Sequence, residues 1–163
     1  MDAKAALQST MGLGLMVLQK YFDDFTDAEL LERPGPGCNH LAWQLGHLIG
    51  SEVHLLQSVC PNANVPLPDG FAARHSKETS GDDDPRHFET KQTYLDLLEK
   101  VRAATSAALA ALPDADLDQP APERMRSICP TVGDMFVLIG THPMMHAGQF
   151  VSVRRRLGKP VVI

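Results

Sequence analysis

The sequence has no excess of basic residues. Lys and Arg number 15 against 20 Asp and Glu, for a formal net charge of −5. That balance argues against nucleic acid as a partner. The longest basic run is Arg154-Arg155-Arg156. It falls at an expected helix end, where cations complement the helix dipole. Cysteine is sparse as well: Cys38, Cys60 and Cys129 form an odd set without C-x-x-C spacing. Such a set points to reduced thiols in a cytoplasmic protein, not to a disulfide framework or a structural zinc site. No apolar run approaches the roughly 20 residues of a membrane span. The opening Met1-Asp2-Ala3-Lys4 shows no charged segment leading into an apolar one, so no signal peptide is expected. No internal repeat and no useful length of strand-period alternation is present.

What is present is helical periodicity. The 163 residues are 44% hydrophobic and 21% charged, ordinary for one globular domain spanning residues 1–163. A first helix is expected from about Asp2 to Asp24, with Leu7, Met11, Leu15, Leu18 and Phe22 on one stripe. Gly12 and Gly14 within it predict a close helix approach or a local distortion. Thr26 and Glu29 make a capping-box pattern for one further turn to Glu32. Arg33-Pro34-Gly35-Pro36-Gly37 ends that turn. The second helix is expected from Asn39, as N-cap, to Val59.

Residues 60–86 are rich in Pro, Asp, Asn and Gly and read as a lid, an Ω-loop or a mobile segment. A short helix from Asp69 to Ser76 is expected inside it. Asp82-Asp83-Asp84 reads as a solvated charge cluster, not a metal site. The third helix runs from about His87 to Leu112, with Tyr94, Leu97, Leu98 and Val101 inward and Pro113 as its stop. Asp114 to Pro130 reads as loop. The fourth helix runs from Thr131 to Leu157. It opens on a Thr131/Asp134 capping box and stops at Gly158 and Pro160. The apolar tail from Pro160 to Ile163 is expected to pack back on the bundle. The fold expected is therefore all-α, a four-helix bundle with a long loop between helices 2 and 3 that permits a crossover.

His142 and His146 lie four residues apart on the fourth helix, hence on one face and about one turn apart. A helical wheel sets Met135, Leu138, Ile139, Gln149 and Val153 beside them, so the pair projects from a core-facing stripe. Two imidazoles so placed can share one metal ion, or can be core histidines hydrogen-bonded to other helices. Pro143 removes a helical hydrogen bond beside His142 and predicts a kink there. On the second helix, His40, His47 and His54 share a face with Trp43, Gln44, Gly50 and Ser51. Only His47 is near the helix middle, where the fourth helix can meet it; His40 and His54 are expected to face solvent or to sit behind the site. His75 and His87 take no role. Glu52 and Asp134 are the nearest carboxylates in sequence, and neither falls on the ligand face, so no general base is named. The opposite face of the fourth helix, with Val137, Gly140, Met144, Ala147 and Val151, is also apolar. It must pack on another helix or on a partner, and a homodimer is the expectation.

The segments Asn39-His40-Leu41-Ala42-Trp43-Gln44-Leu45-Gly46-His47-Leu48 and Thr141-His142-Pro143-Met144-Met145-His146-Ala147-Gly148-Gln149 together resemble the DinB-like (YfiT-like) superfamily. The ending Arg155-Arg156-Leu157-Gly158-Lys159-Pro160 is similar too. The resemblance implies a four-helix bundle, commonly a homodimer, with His47, His142 and His146 as metal ligands. Three neutral nitrogen donors with open positions make a catalytic type of site. Zinc, nickel and iron all accept imidazole. Gln149 and Trp43 would sit behind the ligands or against a bound molecule. Relatives of this kind include transferases and isomerases that use mycothiol, bacillithiol or glutathione, and proteins described as metal-dependent hydrolases. The expectation drawn from them is a metal-dependent thiol S-transferase acting on an electrophilic small molecule. Hydrolysis by metal-activated water is one alternative. A non-enzymatic stress-response or binding module with a structural metal is the other.

Overall fold

The computed structural model describes residues 1–163. Five α-helices appear: α1 Ala3–Phe22, α2 Leu41–Val59, α3 Phe71–Arg74, α4 Lys91–Ala111 and α5 Val132–Arg156. The four long ones are those expected, and α3 is the short helix placed in the long loop. None is long and apolar enough to cross a membrane.

Helix starts follow local capping chemistry. Asp2 caps α1 by accepting from the Ala5 amide at 2.7 Å. Thr90 caps α4, so this helix begins later than His87. Pro85–His87 instead form a 3-10 turn. The cap of α2 is His40 and not Asn39: the His40 Nδ1 accepts from the Trp43 amide at 3.0 Å. Thr131 and Asp134 form the full capping box of α5. The Thr26/Glu29 box also forms, with Glu29 Oε2 accepting from the Thr26 amide at 2.7 Å. The turn it opens, Glu29–Leu31, is 3-10. The 114–130 connection is more ordered than a plain loop. It holds 3-10 turns at Asp114–Asp118 and Glu123–Met125 and an antiparallel bridge between Pro120 and Thr131.

α5 packs along α1 and against α2, and α4 packs against both α1 and α2. The two pairs consecutive among the long helices, α1/α2 and α4/α5, therefore sit on diagonals. The crossings lie at the short connections. The long 60–90 segment joins neighbours, not the crossover that its length allowed. The closest approach is between α1 and α5: a Cβ on Gly14 would lie 2.1 Å from the Gly140 carbonyl oxygen. Gly12 has open space instead. Gly140 and Ala147 are buried in this contact region of α5, so much of its second apolar face is filled from within the chain.

The core runs the length of the bundle through Met11, Leu18, Phe22, Leu45, Ile49, Tyr94, Val101, Phe136 and Phe150, all below 2% exposed. Three charged side chains, Glu52, Arg102 and Arg154, are buried with it. Arg154, the first of the triplet expected to complement the helix dipole, is fully buried. It forks onto Asp24 at 2.6 and 3.0 Å and donates to the carbonyls of Tyr21 and Pro160. Bidentate geometry of this kind compensates a buried guanidinium. The C-terminal tail returns to the bundle through polar contacts, not apolar packing. Tyr21 donates to the Ile163 carbonyl at 2.9 Å, while Val161, Val162 and Ile163 stay exposed.

Candidate functional site

α2 and α5 are packed neighbours, and this brings His47 to the His142/His146 pair. One ring nitrogen from each of the three lies within 4.8 Å of the others. The Nε2 atoms of His142 and His146 are 3.2 Å apart. The His47 ring centroid is 5.3 Å from that of His142 and 5.5 Å from that of His146. Two imidazole nitrogens bound at about 2.0–2.1 Å to one tetrahedral ion stand about 3.3 Å apart. The His142–His146 separation matches that edge. The donors are therefore of the kind, and the pair is at the spacing, that a divalent metal ion takes.

The rings are held by neighbours. His146 Nδ1 lies 2.8 Å from Gln44 Oε1. The Gln44 amide nitrogen in turn donates to the Asn39 carbonyl at 2.8 Å. That second bond fixes which end of the amide faces His146, so Nδ1 carries the proton and Nε2 turns a bare lone pair to the cluster. Trp43 stacks on His47 with ring centroids 5.1 Å apart and planes 6° apart. Burial pushes the His146 ring down to about 3 and the His142 ring to about 4, with neighbouring imidazoles adding to the effect. Burial, then Lys77, lowers His47. All three are neutral near pH 7, the form that donates a lone pair.

His47 forms part of the wall of an open cleft of about 310 Å³, shared with Gly46, Gly50, Ser51, His54, Ala72 and His75. Ser51 Oγ is 3.5 Å from His47 Nε2. No carboxylate lines this cleft. A larger groove of about 580 Å³ between Val59–Asn64 and the end of α4 has no cluster of metal-ligating groups on its walls, Cys60 alone excepted.

Other expected residues fall elsewhere. Gln149 is exposed and makes no hydrogen bond to the cluster; Gln44 occupies the place suggested for it. His40, expected to face solvent or to back the site, is completely buried. With Nδ1 accepting at the helix cap, its Nε2 donates to the Asp82 carbonyl at 3.1 Å. His54 is exposed and accepts from Arg124 Nη2 at 2.6 Å. His75, given no role, is buried against Gly46, between the Phe71 carbonyl and the Tyr94 hydroxyl, each at 2.8 Å. A Cβ on Gly46 would fall 2.0 Å from its ring. Glycine beside His47 was the one local signal for that packing. Asp82-Asp83-Asp84 is paired with His87, Arg33 and Arg86.

The fold and site thus define a class: a helical bundle carrying three clustered histidines from two neighbouring helices, with His47 at the wall of an open cleft. The chain belongs to the DinB superfamily, whose family model matches residues 13–150. Among solved structures it is similar to the crystal structure of the conserved protein of locus from Enterococcus faecalis. That likeness has a TM-score of 0.74 and 19% identity over 98% of this chain and 99% of the other, and it speaks for the fold alone. No curated protein matches the chain.

Proposed function

We propose that His47, His142 and His146 hold one divalent metal ion (zinc, nickel or iron) and that the protein is a metal-dependent S-transferase joining a low-molecular-weight thiol to an electrophilic small molecule. The observation that carries this reading is the set of three converging neutral imidazoles, one of which, His47, stands on the wall of an open cleft. A bound divalent ion would supply a Lewis-acid charge that favours thiolate over thiol at neutral pH. Gln44 orients His146, Trp43 holds the plane of His47, and the cleft between Gly46, Ser51 and His54 offers room for the electrophile. The absence of a carboxylate from the cleft favours a thiol over water as nucleophile, since water attack calls for a general base.

The test is turnover of a chlorodinitrobenzene-type electrophile with mycothiol, bacillithiol or glutathione, using metal-loaded protein and the His47→Ala variant. The expected outcome is thiol-dependent turnover lost in the variant. Equal rates in both proteins remove the metal from the mechanism. A homodimer is part of the same proposal, supported by the exposed Leu13 and Met16 on α1 and Val137 and Met145 on α5.

A further inference from the structure

Arg102 ties together all four long helices. It stands on α4, and its Nη2 donates to Glu52 Oε2 on α2 at 2.8 Å and to the Ile139 carbonyl on α5 at 3.4 Å. Its Nη1 donates to the Met11 carbonyl on α1 at 3.2 Å. The other Glu52 oxygen accepts from Thr105 Oγ1 at 2.8 Å. Arg102 and Glu52 are 6% and 7% exposed. A buried ion pair contributes little net stability, because desolvation offsets the attraction. Burial accordingly raises the Glu52 carboxyl and lowers the Arg102 guanidinium in spite of their contact. Arg102 Nε is buried with no partner at all. The side chain is thus placed for what its Nη atoms reach, not for saturation of its own donors.

The Ile139 contact gives the placement a purpose. Pro143 sits inside α5, four residues beyond Ile139. Having no N–H, it leaves the Ile139 carbonyl without its helical partner. Ile139 is 2% exposed, and a buried acceptor left unpaired costs on the order of 1–3 kcal/mol. Arg102 supplies the missing donor. His142 immediately precedes Pro143. His142, Pro143, Ile139 and Glu52 also share the wall of one cavity of about 10 Å³, so Glu52 and the histidine border the same very small space.

We propose that Arg102, held by Glu52, is a positioning residue for the three-histidine site: it satisfies the carbonyl that Pro143 leaves free and so fixes the helical path through His142. This inference rests on the metal-binding reading above. Removing both charges avoids stranding either one. The Glu52→Gln/Arg102→Met variant is compared with the unaltered protein and with the same variant carrying Pro143→Ala, which returns an N–H to the Ile139 carbonyl.

The readouts are Zn²⁺ affinity by competition with a chromogenic chelator, the absorption spectrum of the Co²⁺-loaded protein, and helical content by circular dichroism. The double variant is expected to fold, to lose about tenfold or more in Zn²⁺ affinity and to show an altered Co²⁺ spectrum. Adding Pro143→Ala is expected to restore both. Undiminished affinity in the double variant overturns the inference. So does weakened affinity that Pro143→Ala leaves unrestored, since Arg102 is then a cross-tie between helices and nothing more. If the double variant does not fold, Arg102→Lys with and without Pro143→Ala takes its place, because lysine keeps a charge on Glu52 but lacks the fork that reaches several acceptors. The same outcomes decide it. Failure of the unaltered protein to bind Zn²⁺ or Co²⁺ removes the metal reading and this inference together; binding that is equal in all variants removes this inference alone.

Discussion

Gln44 is held at both ends, by the Asn39 carbonyl and by His146 Nδ1. Its amide cannot flip without losing one of these bonds, so it fixes both the tautomer and the aim of the His146 ring. Gln44→Leu is expected to keep the fold and to weaken Zn²⁺ affinity by about 10–100-fold, read by chelator competition; unchanged affinity would show that packing alone aims His146. His75 makes a different prediction. Burial holds it neutral, with its proton uptake pushed down to about 4. It faces Tyr94, Arg74, Glu89 and His40. The unfolded chain protonates this ring as pH falls below about 6.5, the ordinary histidine value, and the folded chain does not until about 4. Stability is therefore fully present above that upper value and lost as pH falls through the window. His75→Gln should flatten the slope of unfolding free energy by about 1.4 kcal/mol per pH unit there, measured by urea denaturation; an identical slope would place the acid sensitivity elsewhere. Helical spacing alone sets His142 over His146 and leaves His47 mid-helix, while the grouping of the three came from the resemblance to the DinB-like superfamily. The Gln44–His146 and His75–Tyr94 contacts were not legible, since those partners lie 102 and 19 residues apart and, Gly46 excepted, no local pattern points to them.

At the scale of elements, periodicity and capping chemistry were enough to place four long helices and α3. Where boundaries moved, a side chain outcompeted the usual choice. His40 supplies the α2 cap through a ring nitrogen in place of Asn39, and Thr90 rather than a residue near His87 starts α4. What periodicity could not convey is which helices are neighbours. The diagonal placement of consecutive helices follows from α5 settling along α1, and that depends on two glycines 126 positions apart, Gly14 and Gly140. They and Gly12 allow a matched comparison. Gly14→Ala drives a methyl into the Gly140 carbonyl and is expected to destabilise the fold by about 1–3 kcal/mol through overpacking. Gly12→Ala meets nothing within 4 Å and is expected to stabilise by about 0.5–1 kcal/mol through helix propensity. Chemical denaturation midpoints of the two variants check this, and equal effects of the same sign would refute the close approach.

At the scale of the whole molecule, the case for self-association shifts from one surface to another. The fourth helix has apolar residues on two faces, and sequence alone leaves the covering of the second open. α1 covers it at Gly140, and Ala147 is buried as well, which removes those residues from any intermolecular contact. Val137 and Met145 stay 44% and 59% exposed on α5, and Leu13 and Met16 stay 48% and 39% exposed on the adjoining α1. Large apolar side chains on two packed helices make a surface that a second copy can bury, and a two-fold arrangement would present the same residues from each side. Burying them would remove apolar area at about 25 cal/mol per Å² without disturbing the histidine cluster, whose cleft is walled by α2, Ala72 and His75. Sedimentation equilibrium at micromolar concentration is expected to give twice the chain mass of 17.8 kDa. Leu13→Glu with Val137→Glu is expected to return the single-chain mass while leaving Zn²⁺ affinity unchanged. A single-chain mass for the unaltered protein would sink the dimer, and a dimer that survives both glutamates would move its interface to another face.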